Sequence, residues 1–241
     1  MRLDRFLSNL PTFSRQEVRR LLLGKRVRVD GEVVTEGLHE VREFSRVTLD
    51  EQVLQAGKPA RYFMLHKPRG CVSATADPEH PTVLELLAEA DRTGLHIAGR
   101  LDYNSTGLLL LTNDGRWSRR LSQPTSRQPK VYVVDTEQPI GSDYAEVFER
   151  GLYFAYEDLT TLPAQLELLG SHSARLTLFE GRYHQVKRMF GYFNNKVLRL
   201  HRERIGSLQL DPTLAPGAYR SLRSHELERM VSGDRPAEAG Q

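Results

Sequence analysis

Residues 99–115 read GRLDYNSTGLLLLTNDG. Leu108 to Leu111 are four consecutive leucines between Gly107 and the turn signal Asn113-Asp114-Gly115. A short apolar run bounded by turns predicts a strand buried on both faces. Asp102 stands just ahead of it, in the loop that ends at Gly107. A carboxylate held beside a rigid buried strand is either paired structurally or used in chemistry.

Outward from this run, strands are expected at 95–98, 108–112, 131–134, 164–168 and 174–179. Helices are expected at 116–121, 143–150 and 184–193, and Thr82 is placed to cap another from Val83 to Glu89. Hairpin-scale spacing with interspersed helices predicts an α+β domain with a mixed, mostly antiparallel sheet, spanning 61–232. Residues 50–60, DEQVLQAGKPA, read as a linker, and the tail 233–241 as disordered.

Residues 1–58 form a separate small module. Leu3, Phe6, Leu7 and Leu10 recur at helical spacing before Pro11. Ser14 and Glu17 make a capping box for a second helix, which buries Val18, Leu21 and Leu22. Gly24 is suited to end that helix in a left-handed turn. Val27 and Val29 alternate with Arg26 and Arg28, a strand with one basic face, and Asp30-Gly31 signals a hairpin. The segment resembles the S4 RNA-binding domain through Arg2-Leu3-Asp4, Ser14-Arg15 and the run from Gly24 to Gly31.

Of 241 residues one is cysteine, Cys71, so no internal disulfide can form, which points to a reducing, cytoplasmic setting. Cys71 reads as a small core side chain. No apolar run approaches the roughly 18 residues of a membrane span, and MRLDRFLSNL lacks the apolar stretch of a signal peptide.

Net charge is only +3, but basic residues cluster. Residues 1–28 carry eight Lys/Arg against two acids; 116–130 carry five against none; 182–204 carry seven against one. Three such segments point to a basic face and a polyanionic partner.

Asp114 is explained by turn chemistry, so no second acid accompanies Asp102 for glycosidic hydrolysis. The eight histidines show no metal-ligand spacing, and no phosphate-binding glycine loop is present. A lone aspartate among basic and aromatic residues suits work on the sugar or base of a nucleic acid. A non-catalytic RNA-binding or ribosome-assembly protein also accounts for the basic module, but not for the aspartate.

Three motifs carry a closer resemblance: the run 99–115, Lys130-Val-Tyr132, and Glu180-Gly-Arg-Tyr-His-Gln-Val-Lys-Arg-Met-Phe190. Together they resemble the RsuA/RluB/E/F family of pseudouridine synthases, over nearly the whole chain. The resemblance implies isomerisation of uridine to pseudouridine in RNA, with Asp102 as the catalytic carboxylate and no metal or cofactor. Asp102 would attack C1′ or remove the C2′ proton. Tyr132 would pack against the target base. Lys187 would face the aspartate, favouring its charged form; the wider superfamily has arginine there. Arg100 would support RNA from which the uridine has flipped, with an ion pair to Asp102 or a phosphate contact as its plainer alternatives. Helix capping and core hydrogen bonding are the plainer alternatives for His184 and Gln185, and the plainer reading is preferred for His184.

RNA contacts are expected from Arg2, Arg5, Arg15, Arg19, Lys25, Arg26, Lys130, Arg182, Arg188 and Arg202. Strings such as Asp77-Pro-Glu-His-Pro-Thr-Val-Leu84 and His201-Arg-Glu-Arg-Ile-Gly206 resemble the small-subunit branch. They imply a 16S rRNA substrate, met by a monomer in a ribosome assembly intermediate, with uridine 516 as the target. A 23S rRNA enzyme of the same family is the alternative.

Overall fold

The structure is a computed structural model describing residues 1–123 and 126–232. The tail 233–241, expected to be disordered, lies outside the described residues. The chain divides into two compact units, one over Met1–Ala60 and one from Arg61 onward.

The first unit holds helices α1 (Leu3–Ser8) and α2 (Arg15–Leu23) and strands β1 (Val27–Val29), β2 (Glu32–Val33), β3 (Val47–Leu49) and β4 (Gln52–Gln55). The strands form an antiparallel sheet in the order β2-β1-β3-β4. Its core joins Leu3 and Leu7 of α1, Val18, Leu21 and Leu22 of α2, and the inward valines of β1. The capping box forms as expected: the Glu17 N–H donates to Ser14 Oγ, and the Ser14 N–H to the Glu17 carboxylate. Asp30 and Gly31 both take positive φ, the twist a two-residue hairpin needs.

Two local expectations fail. Gly24 keeps φ −73°, and the left-handed residue is Lys25, φ +57°. The helix runs one position further than its glycine suggests. The Lys25 N–H then meets the Leu22 carbonyl and the Arg26 N–H the Leu21 carbonyl, the two bonds of a Schellman motif. Gln52–Gln55, which polar composition assigns to a linker, pairs with β3 instead.

The second unit is built on β5 (Tyr62–Lys67), β6 (His96–Ala98), β7 (Thr106–Thr112), β8 (Lys130–Thr136), β11 (Gln165–Gly170), β12 (Ser173–Leu178), β13 (Val197–Ile205), β14 (Leu208–Gln209) and β15 (Tyr219–Ser221). Between β8 and β11 lies a separate pair, β9 (Tyr153–Phe154) with β10 (Leu159–Thr160). The helices are α3 (Glu89–Arg92), α4 (Gly115–Ser122), α5 (Asp143–Arg150), α6 (Gln185–Gly191) and α7 (Ser224–Ser232). The sheet runs β11-β12-β8-β13-β7-β5-β15, with β6 added on β7 and β14 on β13. Its described pairings are antiparallel except β13 with β7, so the sheet is mixed and mostly antiparallel, as expected.

The four leucines of β7 are fully buried and split between two cores. Leu109 and Leu111 join the larger one, with Phe148, Met189 and Phe190. Leu108 and Leu110 join the other, with Trp117 and Met64. The expected helix from Val83 to Glu89 is split: a 3₁₀ turn at Val83–Leu86 stops at Leu87, whose extended backbone carries its side chain into the core, before α3 begins. Asp114 caps α4, accepting from the Arg116 and Trp117 N–H groups and from the Tyr62 hydroxyl. Cys71 is buried as a core side chain.

β7 and β13 approach so closely that Gly107, φ +109°, has no room for a side chain. A β-carbon there would sit 2.6 Å from the Arg202 backbone nitrogen and collide with its carbonyl oxygen. Gly107→Ala should therefore destabilise the protein by at least about 2 kcal/mol. Urea denaturation measures this; a loss within about 0.5 kcal/mol, as at an ordinary surface site, would show that the two strands can separate freely.

Candidate active site

Asp102 lies in the loop 99–105 between β6 and β7, and buried groups fix that loop from several sides. Arg202, on β13 and only 2% exposed, donates from Nε to the Leu108 carbonyl at 2.8 Å and from Nη2 to the Gly99 carbonyl at 2.7 Å. Its Nη1 reaches the Arg100 carbonyl at 3.4 Å. One planar guanidinium thus ties the backbone before Asp102 to the strand after it. Gly99, φ +84°, makes the required turn.

Lys67, fully buried at the end of β5, gives Nζ to the Ser105 and Pro68 carbonyls at 2.9 Å and to the Tyr103 carbonyl at 3.3 Å. Burial lowers its pKa. Ser73 holds the middle of the loop, its hydroxyl donating to the Leu101 carbonyl at 2.7 Å and accepting from the Leu101 N–H at 3.1 Å.

The other wall is the turn into α6. Buried Glu180 accepts from the Leu162 N–H, the Gln185 side-chain amide and the Arg182 guanidinium. Val186, Met189 and Phe190 bury the inner side of the helix. Lys187 on α6 then meets Asp102, Nζ to Oδ2 at 2.7 Å. His184, at φ +48°, brings Nε2 to within 3.3 Å of Oδ1. The Asp102 side chain is 29% exposed, so both pairs are open to some solvent screening.

Arg100, Asp102, Ser105, Tyr132, His184 and Lys187 line a cavity of about 60 Å³. Asp102, Arg100, Tyr132 and Lys187, singled out in three separated motifs, therefore meet at one place. Arg100 is exposed there and pairs with no acid among the described residues, unlike its ion-pair alternative. His184 stands at the N-cap position of α6, but its side chain makes no cap hydrogen bond and faces the carboxylate instead. Its sequence signal is indistinct, since a histidine before a helix reads most simply as a cap. Gln185 is buried and hydrogen-bonded, the plainer of its readings.

Two expected RNA contacts, Arg202 and Lys130, are corrected, and a third, Arg188, is engaged within the protein. Arg202 is the buried clamp just described. Lys130 is buried and donates to the Gln128 carbonyl at 3.0 Å. Arg188 is held bidentately by Glu157, at 2.5 and 2.7 Å, over the Phe154 ring. Each lies in a basic stretch of sequence, but the sheet and its covering helix turn these side chains inward or onto a partner. Arg182 pairs with Glu180 and still borders the cavity.

In the N-terminal unit, Arg2, Arg5, Arg15 and Arg19 line one cleft of about 650 Å³. Arg2 pairs with Asp4, Arg26 with Asp50, and Lys25 is exposed.

Burial, reinforced by the charge of Arg202, pushes the Lys130 pKa from 10.5 down to about 8. The unfolded chain thus holds this proton up to about pH 10.5 while the folded one releases it near 8, so this residue makes stability rise with pH across that window. Lys130→Met should abolish that rise. Urea denaturation of both proteins at pH 7 and 9.5 checks it: the variant should compare best at the lower pH, and a constant difference would contradict the burial.

The sequence pattern of the RNA pseudouridylate synthase family matches residues 61–192, and that of the S4 domain matches residues 1–56. The chain is 66% identical over 227 residues to the ribosomal small subunit pseudouridine synthase A of Pseudomonas aeruginosa, covering 94% of this chain and 99% of that protein. It is 46% identical over 231 residues to the protein of the same name from Escherichia coli K12, covering 96% and 100%. A crystal structure of a pseudouridylate synthase superposes with a TM-score of 0.70 at 37% identity, covering 96% of this chain and all of that one. The chain therefore belongs to the RNA pseudouridylate synthase family, as an isomerase with an N-terminal S4 domain.

Proposed function

We propose that this enzyme converts one uridine of the small-subunit (16S) ribosomal RNA to pseudouridine, with Asp102 as its catalytic group. The observation that carries the reading is the carboxylate itself: held on a fixed loop, gripped by Lys187 and His184, and bordering the same cavity as Tyr132. The relatives' names supply the small-subunit substrate, and the motif resemblance supplies uridine 516.

The reaction breaks the N1–C1′ bond, turns the uracil within the site and joins C5 to C1′. C5 gives up its proton and N1 gains one, so the base is isomerised without net change. A carboxylate serves in one of two ways, as nucleophile at C1′ or as base at C2′. The target uridine must leave its stack to reach it. Tyr132 packs against that base, and Arg100 at the rim supports the strand it has left.

The cleft bearing Arg2, Arg5, Arg15 and Arg19 supplies phosphate contacts, with Lys25 and Arg26 beside them in sequence. Arg182 adds a contact near the active site. The protein acts as a monomer on an assembly intermediate in the cytoplasm, where rRNA is made and folded.

Tritium release from small-subunit rRNA labelled at uracil C5 tests the assignment, because only the isomerisation frees that hydrogen. Asp102→Asn should keep its fold and RNA affinity and lose at least about a thousandfold in single-turnover rate. Lys187→Met should lose about a hundredfold and Lys187→Arg much less, since charge matters more here than donor shape. Turnover by a folded Asp102→Asn protein would remove the carboxylate from the chemistry. Release confined to large-subunit rRNA would overturn the substrate.

A further inference from the structure

We propose that Tyr183 is a stacking platform for a nucleobase next to the target uridine. The proposal rests on the assignment of Asp102 as the reacting centre and adds a substrate contact to it.

Tyr183 is the residue before His184 in the turn into α6 and is 75% exposed. Its ring stacks on the His184 imidazole, with centroids 3.9 Å apart and planes 23° apart. His184 in turn sits 3.3 Å from the Asp102 carboxylate. The aromatic pair is therefore a two-layer stack whose inner layer touches the reacting carboxylate and whose outer layer meets solvent. A tyrosine with one face covered and this much exposure presents its other face outward.

The backbone that creates this arrangement is unusual. His184 takes the left-handed conformation although it carries a full side chain, and strain of that kind persists where surrounding structure enforces it. The enforcing group is Glu180, buried and bonded to Arg182 and Gln185 on both sides of the turn. Arg182 and Arg100 stand at the same cavity.

Basic groups for the phosphates and an open aromatic face for a base form the set that recognises unstacked RNA. The reaction also creates a need for it. Flipping one uridine leaves its neighbours without a stacking partner, which costs free energy. A phenol ring at the cavity mouth can take the place of the lost partner for one of them.

Affinity for transcribed small-subunit rRNA, measured by filter binding, and tritium release from the same RNA test the proposal together. Tyr183→Ala should weaken binding about tenfold, the loss usual for one base–aromatic contact, and lower kcat/KM by a similar factor. Tyr183→Phe and Tyr183→Trp should stay within about twofold of the unaltered enzyme, since the ring face is what binds. The thermal midpoint of Tyr183→Ala should not move, because the side chain is exposed. Wild-type affinity in Tyr183→Ala, or equal losses in Tyr183→Phe, would overturn the platform. Repeating the binding comparison in an Asp102→Asn background separates a direct contact from an effect relayed through His184. The tenfold loss should persist there, and its disappearance would overturn the platform as well. Turnover by Asp102→Asn alone would refute the catalytic assignment while leaving the affinity result readable.

Discussion

The Arg202 guanidinium and the carbonyls it holds are the constraint on which the site depends. Gly99, Arg100 and Leu108 present their carbonyl oxygens to one buried cation, which closes the 99–105 loop at both ends. Burying a charge is costly unless it is fully hydrogen-bonded. Here the planar fork matches acceptors from two chain segments, a geometry lysine does not reproduce. The parallel pairing of β13 with β7 brings the arginine into place, and Gly107 permits the approach. Lys67 does the same for the second half of the loop, through the Tyr103 and Ser105 carbonyls. Asp102 projects from a backbone held by two internal cations and by Ser73. The catalytic role proposed for Asp102 needs this order of positioning, because small displacements of reacting atoms are expensive in rate.

The other half of the site is more yielding. Lys187 and His184 are each about a third exposed and approach the carboxylate from α6, while the loop behind Asp102 is fixed from within. This division suits an enzyme that must admit a base beside the carboxylate. In the proposed mechanism the rigid aspartate defines where chemistry happens, and the partners that cover it are the more exposed groups.

Much of the fold was legible from residues 99–115 and the pattern around them. The leucine run, the Ser14–Glu17 box and the Asp30-Gly31 turn are local signals, and local signals survive into structure. What stayed hidden was β13. Its sequence, VLRLHRERI, alternates too little and carries too much charge to read as a central strand. The same charge made Arg202 look like an RNA contact, although its partners are backbone carbonyls distant in sequence. Arg188 misled for the same reason, as nothing local announces Glu157 as its partner, whereas Lys130 misled because the sheet buries it, although its acceptor, the Gln128 carbonyl, lies only two residues away. The family resemblance brought Asp102, Tyr132 and Lys187 together, whereas the role of His184 appears only in the three-dimensional turn ahead of α6.

The most direct test of this account is the single-turnover rate of uridine conversion by Arg202→Lys, measured with RNA affinity and thermal stability. Lysine keeps a buried cation but loses the fork that grips both ends of the loop. The account predicts a rate about a hundredfold lower at nearly unchanged RNA affinity, because Asp102 is no longer held in register. An unchanged rate would show that the clamp does not position the carboxylate. A loss confined to RNA affinity would make Arg202 an RNA contact after all and would contradict the central claim.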